Sequence, residues 1–120
     1  MDRPCVLIVE DDRSVREPLA KFLSLHGFDV LAAETVAGAR QILSGRQPDA
    51  AVLDLRLPEG SGLEIAAAIP PPTPVIIFTA VPDESSNIEE IRPNTRLVLK
   101  PFSLSMLAET LKKMLARAAC

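Results

Sequence analysis

The sequence predicts a single α/β domain: a five-stranded parallel sheet with helices on both faces. Three observations carry this expectation. Apolar runs of strand length alternate with segments of helical periodicity, in the order βαβαβαβαβα. The strong runs are nearly continuous rather than alternating, as strands read when both faces are covered. The length of 120 residues suits one domain, and a chain of that size buries roughly two-thirds of its unfolded surface. Alternation of this kind implies right-handed crossovers and two helical layers. No internal repeat, linker or second domain is visible, so residues 1–120 are taken as one unit.

The strong strands are expected at residues 6–9, 50–53, 75–78 and 97–99, with a weaker one at 29–32. Val15, Leu19, Phe22 and Leu23 form one apolar helical stripe, ended by Gly27. Asp12 is one candidate cap for this helix; Ser14 and Glu17 stand one turn later in capping-box spacing. Pro18 favours the later start, because an interior proline loses a hydrogen bond and clashes with the preceding turn. Val36, Ala39, Ile42 and Leu43 mark a second helix closed by Gly45. A short third helix at 63–69 is stopped by Pro70-Pro71-Pro72, and a short fourth at 86–91 ends before Pro93. Residues 70–74 read as a turn rather than as a proline-rich docking ligand. Leu104, Leu107, Leu111 and Leu115 form the longest stripe, with Lys112, Lys113 and Arg117 near the negative end of the helix dipole.

Composition narrows the function classes. Apolar residues make up 48% of the chain, which argues against disorder. The chain has 13 basic and 16 acidic residues, and its net charge of −3 offers no attraction to DNA or an anionic membrane. Trp and Tyr are absent, so base stacking along a single strand is not expected either. Direct nucleic-acid binding and membrane association are therefore excluded. No run approaches the ~20 apolar residues that span a bilayer, and no signal peptide precedes Val6. Cys5 and Cys120 lack metal or redox spacing. Cys5 reads as a buried inert thiol and Cys120 as a terminal thiol able to cross-link when oxidised. A reducing, cytoplasmic location is the simplest expectation.

The chemistry lies just beyond the carboxyl end of each strong strand. Glu10, Asp11 and Asp12 come after Val9; Asp54 after Leu53; Thr79 after Phe78; Lys100 after Leu99. In a parallel sheet these strand ends share one edge, the edge at which open α/β sheets bind ligands. Each residue alone is ordinary turn or cap chemistry. Together they place several carboxylates, a hydroxyl and an ammonium in one cleft. Crowded carboxylates raise one another's pKa unless a cation intervenes. Mg²⁺ suits them, because it prefers oxygen and accepts one or two carboxylates plus phosphate. Glu10, Asp11 and Asp54 would supply the protein half of such a shell. A carboxylate is also a competent nucleophile toward phosphorus, and Mg²⁺ with Lys100 would neutralise the transferred group.

V-E-D-D (9–12), V-L-D-L-R-L-P (52–58), G-L-E (62–64), F-T-A (78–80) and L-K-P-F (99–102) resemble the receiver domains of bacterial two-component response regulators. The likeness covers essentially the whole chain. It implies a flavodoxin-like, doubly wound sheet in the strand order 2-1-3-4-5. It also implies that Asp54 accepts a phosphoryl group from a phosphohistidine of a sensor histidine kinase or histidine phosphotransfer protein. Asp11 would be a direct Mg²⁺ ligand, Glu10 would act through water, and Arg56 would contribute its backbone carbonyl. Thr79 would be the switch hydroxyl, the Ala80 amide would meet the phosphoryl group, and the Lys100–Pro101 bond would be cis. Such a domain is a phosphoacceptor rather than an enzyme, and it controls an output partner, with a homodimer as one form. Met1 reads as a natural start. The end just after the last helix suits a stand-alone regulator as well as a domain of a longer one.

Three departures from the family pattern bear on signalling. Leu97 stands where the family usually has a switch aromatic. Pro93-Asn94 replaces the usual Gly-Ala, and Pro70-Pro71-Pro72 shortens the third helix. With Leu97 in place, the expected switch runs through inward movement of Thr79 and the loop after Ala80. Arg56 and Val81 flank the site and are placed to influence dephosphorylation. The alternatives fit less well. An FMN binder needs a phosphate-accepting first loop where this one is acidic. An aspartate-nucleophile phosphatase needs a carboxylate at Arg56. A non-phosphorylated pseudo-receiver serving as an interaction module predicts loss of an acid or the lysine. His26, beside Gly27, reads as a helix-end residue and not a phosphodonor.

Overall fold

A computed structural model describes residues 3–80 and 92–118. Along the chain the elements are β1 (Cys5–Val9), α1 (Arg13–Leu25), β2 (Asp29–Ala33), α2 (Val36–Gly45), β3 (Ala50–Asp54), β4 (Arg56–Leu57), β5 (Gly60–Ser61), α3 (Gly62–Ala67), β6 (Val75–Thr79), β7 (Thr95–Leu99) and α4 (Leu104–Ala118). Five strands pair in parallel in the order β2-β1-β3-β6-β7. Counting only these strands, this is the expected 2-1-3-4-5 order. The expected fourth helix, Val81 and Cys120 lie outside the described residues.

Strand parity divides the core in two. Every residue of β1, β3 and β6 is buried. Leu7, Val9, Ala51, Leu53, Val75 and Ile77 join Val36 and Ala39 of α2 and Ile65 and Ala66 of α3. Their neighbours Val6, Ile8, Ala50, Val52, Ile76 and Phe78 join Leu19 and Leu23 of α1 and Leu107, Leu111 and Met114 of α4. Successive side chains of a strand point to opposite faces, so continuous apolar runs are what a two-faced core requires.

Several boundaries differ from expectation for identifiable reasons. α1 takes the earlier start. The Asp12 carboxylate accepts from Ser14 N at 2.9 Å and from the Ser14 hydroxyl at 2.6 Å, and these bonds hold its pKa below the usual value. Pro18 is therefore inside the helix; Ser14 and Pro18 are both exposed, where water solvates a carbonyl that lacks its donor. Glu17 pairs instead with Arg13 at 2.7 Å. The capping box belongs to α3, where Ser61 caps and Glu64 returns to the Ser61 amide at 2.8 Å. Gly27, at φ 100°, makes the left-handed exit from α1, whereas α2 ends on an extended Arg46 rather than on a glycine turn. Beside that exit, His26 stacks on Phe22 and its Nδ1 meets the Phe22 carbonyl, a helix-end role. The small β4–β5 hairpin has no counterpart among the elements expected from sequence.

α3 stops at Ala67, and Ala68 and Ile69 close it with short turns before Pro70. Arg92 fastens this end to the sheet. Its guanidinium is buried and donates to the carbonyls of Thr73 (2.9 Å), Pro70 (2.9 Å) and Pro93 (3.2 Å) and to the Thr95 hydroxyl (2.9 Å). Asn94, at φ 57°, adds a bond to the Pro72 carbonyl. Burial pulls the Arg92 pKa down, and the carbonyls take up its donors in place of water. Arg92→Met is expected to lower stability in urea unfolding by about 1–3 kcal/mol, because it removes four hydrogen bonds at once and leaves the buried Thr95 hydroxyl without its donor. An unchanged midpoint would refute that clamp.

Candidate functional site

The site forms where β1, β3, β6 and β7 end. Parallel pairing in register sets Val9 beside Leu53, Asp54 beside Phe78 and Thr79 beside Leu99. The residues at and just past these ends therefore meet at one rim. Glu10, Asp54 and Thr79 are buried there, while Asp11 is exposed. Carboxylate oxygens of Glu10, Asp11 and Asp54 lie within 4.8 Å of one another. Lys100 Nζ donates to Glu10 Oε1 at 2.9 Å and to Asp54 Oδ2 at 3.1 Å. Its ammonium also sits 5.0 Å from the Phe78 ring centroid, and Phe102 packs edge-on against that ring. The Lys100–Pro101 bond is cis, as expected.

The remaining carboxylate oxygens are held by main chain. Asp12 N donates to Glu10 Oε2 at 3.2 Å, and Arg56 N donates to Asp54 Oδ1 at 3.2 Å. Arg56 thus approaches Asp54 through its backbone, with its side chain exposed. Lys100 N donates to the Thr79 carbonyl at 2.9 Å, which ties the hydroxyl-bearing strand end to the lysine-bearing one. Ala80 is exposed and lines a cleft with Lys100 and Pro101. Leu97 is half-buried against the cluster on the α2–α3 side of the sheet.

Electrostatics reveal an unbalanced site. Burial, followed by the bond to Asp54, pushes the Glu10 carboxyl up; Lys100 works against this. Asp11 is raised by desolvation and then by Glu10. Burial alone would depress the Lys100 ammonium, but its bonds to Glu10 and Asp54 outweigh that and raise it. Three carboxylates against one ammonium leave two negative charges when all are ionised. An all-oxygen donor set with that residual charge fits a hard divalent cation such as Mg²⁺.

Two close approaches shape the rim. A Cβ on Gly62 would lie 2.3 Å from the Asp54 carbonyl oxygen and 3.2 Å from Leu53 Cβ. Only a bare backbone lets α3 begin this close to the end of β3, where Gly62 N donates to the Leu55 carbonyl at 3.0 Å. The G-L-E motif is visible in the sequence but this purpose is not, since one chain does not reveal which backbone a glycine approaches. Sequence reasoning also missed Phe78 as the platform under Lys100, and it missed Arg16, which bonds to the main chain of the acidic loop.

Comparison with known proteins agrees with this geometry. Residues 6–112 match the family model described as the response regulator receiver domain. The chain belongs to that family and is a receiver domain of two-component systems. Response regulator MprA of Mycobacterium sp. (strain KMS) is 31% identical over 95% of this chain and 51% of its own length. The phosphate regulon transcriptional regulatory protein PhoB of Pseudomonas aeruginosa is 33% identical, over 93% and 52%. The chain spans about half the length of these curated relatives. The fold is shared with a CheY-like receiver domain from Methanospirillum hungatei JF-1 (TM-score 0.88, 21% identity, 98% of both chains). A receiver protein from Sinorhizobium medicae WSM419 is similar (TM-score 0.87, 22% identity, 97% of both chains).

Gly62→Ala is expected to cost about 1–3 kcal/mol through overpacking against β3. Gly45→Ala, with nothing within 4 Å of the new Cβ, is expected to be neutral or to stabilise by about 0.5 kcal/mol. Parallel denaturant titrations compare the two, and equal costs would sink the close-approach explanation.

Proposed function

We propose that this domain, residues 1–120, accepts a phosphoryl group on Asp54 from a phosphohistidine and changes conformation to control an output partner. The observation that carries the proposal is the Lys100 ammonium bridging Glu10 and Asp54, with Asp11 in the same cluster. An Asp54 carboxylate oxygen attacks phosphorus, the P–N bond of the donor breaks, and the imidazole leaves. Glu10, Asp11, Asp54 and the Arg56 carbonyl are the groups proposed to hold Mg²⁺, with Glu10 acting through water. When bound, Mg²⁺ supplies positive charge against the phosphoryl oxygens. Lys100 supplies the protein's own positive charge on the same side and holds the Asp54 carboxylate in place. The Ala80 amide and the Thr79 hydroxyl are the remaining proposed contacts.

The switch arises from charge. Phosphorylation brings the acceptor to about −1.5 to −2. New hydrogen bonds to a charged group contribute about 1.5–3 kcal/mol each, and inverting a 1:99 equilibrium takes about 5.5 kcal/mol. Lys100 already holds Asp54 at 3.1 Å, so the new bonds are assigned to the Thr79 hydroxyl and the Ala80 amide, and two of them reach that figure at the upper end of the range. Leu97, packed against the apolar cluster, takes the place of a rotating aromatic, so movement is assigned to Thr79 and the chain after it.

The domain requires an external donor: a sensor histidine kinase or a histidine phosphotransfer protein. Its output acts through a protein or domain that reads the switched surface, with a homodimer as one arrangement. The cytoplasm is the proposed location; among the described residues no helix is long and apolar enough to cross a membrane. The pseudo-receiver alternative predicts a lost acid or lysine. All are present in this chain.

Acetyl phosphate with Mg²⁺ is expected to add one phosphoryl mass in intact-mass spectrometry. EDTA and Asp54→Asn are each expected to abolish it, and Lys100→Met to slow it about 100-fold. An adduct that persists in Asp54→Asn would remove Asp54 from the proposal. Beryllofluoride is expected to shift the amide resonances of Thr79, Ala80 and their neighbours toward Leu97; silence there would end the switch model.

A further inference from the structure

Arg16 lies in the first half of α1, yet its guanidinium turns back over the β1–α1 loop, and its side chain is only 16% exposed. Nη1 donates to the Glu10 carbonyl at 2.7 Å and to the Asp11 carbonyl at 3.3 Å. The same nitrogen lies 3.7 Å from Glu34 Oε2. Two successive carbonyls gathered on one nitrogen fix the peptides on both sides of Asp11. From the opposite side, Glu10 N donates to the Ala33 carbonyl at 3.1 Å. The acidic pair is thus fastened to α1 and to the end of β2 before either carboxylate meets a cation.

We propose that Arg16 is the positioning residue of the acidic pair, holding the peptides on both sides of Asp11 so that both carboxylates present a preformed cation site. This rests on the Mg²⁺-dependent function proposed for the same rim. Two effects of Arg16 have opposite signs. As a positive charge near carboxylates it repels an incoming divalent ion, so removing it would tighten Mg²⁺ binding. As a holder of the loop it spares the entropy of ordering two residues on binding, so removing it would weaken Mg²⁺ binding. Its bonds decide between them. Among the described residues its ion-pair partner is Glu34, not the cluster, and its closest contact is with a loop carbonyl. Positioning therefore outweighs repulsion.

The test is an Mg²⁺ titration monitored by amide NMR shifts of Glu10, Asp11 and Asp54, with thermal melts of each variant in EDTA. Arg16→Met is expected to weaken Mg²⁺ binding roughly tenfold, the lower end of what losing a ligand's outer partner costs. Arg16→Lys, which keeps the charge and one donor group, falls between Met and wild type. Equal or tighter binding by a folded Arg16→Met overturns the proposal, because repulsion would then dominate. If Arg16→Met does not fold, Arg16→Lys decides: weaker Mg²⁺ binding than wild type is expected, and equal or tighter binding overturns the role. Failure of the wild type to saturate with Mg²⁺ overturns the metal-dependent function and this role with it; that outcome is distinct from a wild type that binds normally and a Met variant that matches it.

Discussion

The bridge from Lys100 to Glu10 and Asp54 is the constraint on which the site depends. Glu10 and Asp54 are carboxylates buried at the rim of an apolar sheet. Left alone, such groups protonate or force the rim apart. One ammonium at 2.9 and 3.1 Å holds both, and it does so from a residue 90 positions along the chain from Glu10. The compensation is incomplete, and the remaining negative charge makes the rim receptive to a divalent cation.

Much of the surrounding structure serves to keep that rim narrow. Parallel register aligns the ends of β1, β3, β6 and β7 to within two residues, so the residues just past four strands share one small space. Gly62 lets α3 start against the Asp54 carbonyl, and the β4–β5 hairpin returns the chain to that point within a few residues. The Phe78 ring lies under the Lys100 ammonium while belonging to the core on the α1–α4 side. A packed core residue thus supports a charged one, and core packing and site geometry are not separable here.

The opposite end of the sheet is fastened by main-chain contacts. Pro70-Pro71-Pro72 closes α3 early, Asn94 takes a left-handed turn, and Arg92 ties the two segments through carbonyls. These contacts lie at the ends of β6 and β7 away from the carboxylates. Leu97 lies nearer the rim, in register with Ile77, and packs with the apolar layer on the α2–α3 side.

Sequence alone determined the order of the five parallel strands and, among the described residues, of the helices between them, because burial on two faces leaves continuous apolar runs and burial on one face of a helix leaves a stripe. It also determined which residues end the inner strands, since a polar side chain directly after such a run has only the rim to occupy. The start of α1 was misjudged because the cost of Pro18 is visible in sequence, while the bonds from Ser14 to Asp12 that outweigh it depend on geometry. Tertiary structure alone decided that Gly62 must lack a side chain, that Arg16 turns back onto the acidic loop, and that Arg92 finds carbonyls rather than a carboxylate. Each of these is a distance between residues remote in the chain or a choice among rotamers, and neither leaves a periodic trace in one sequence.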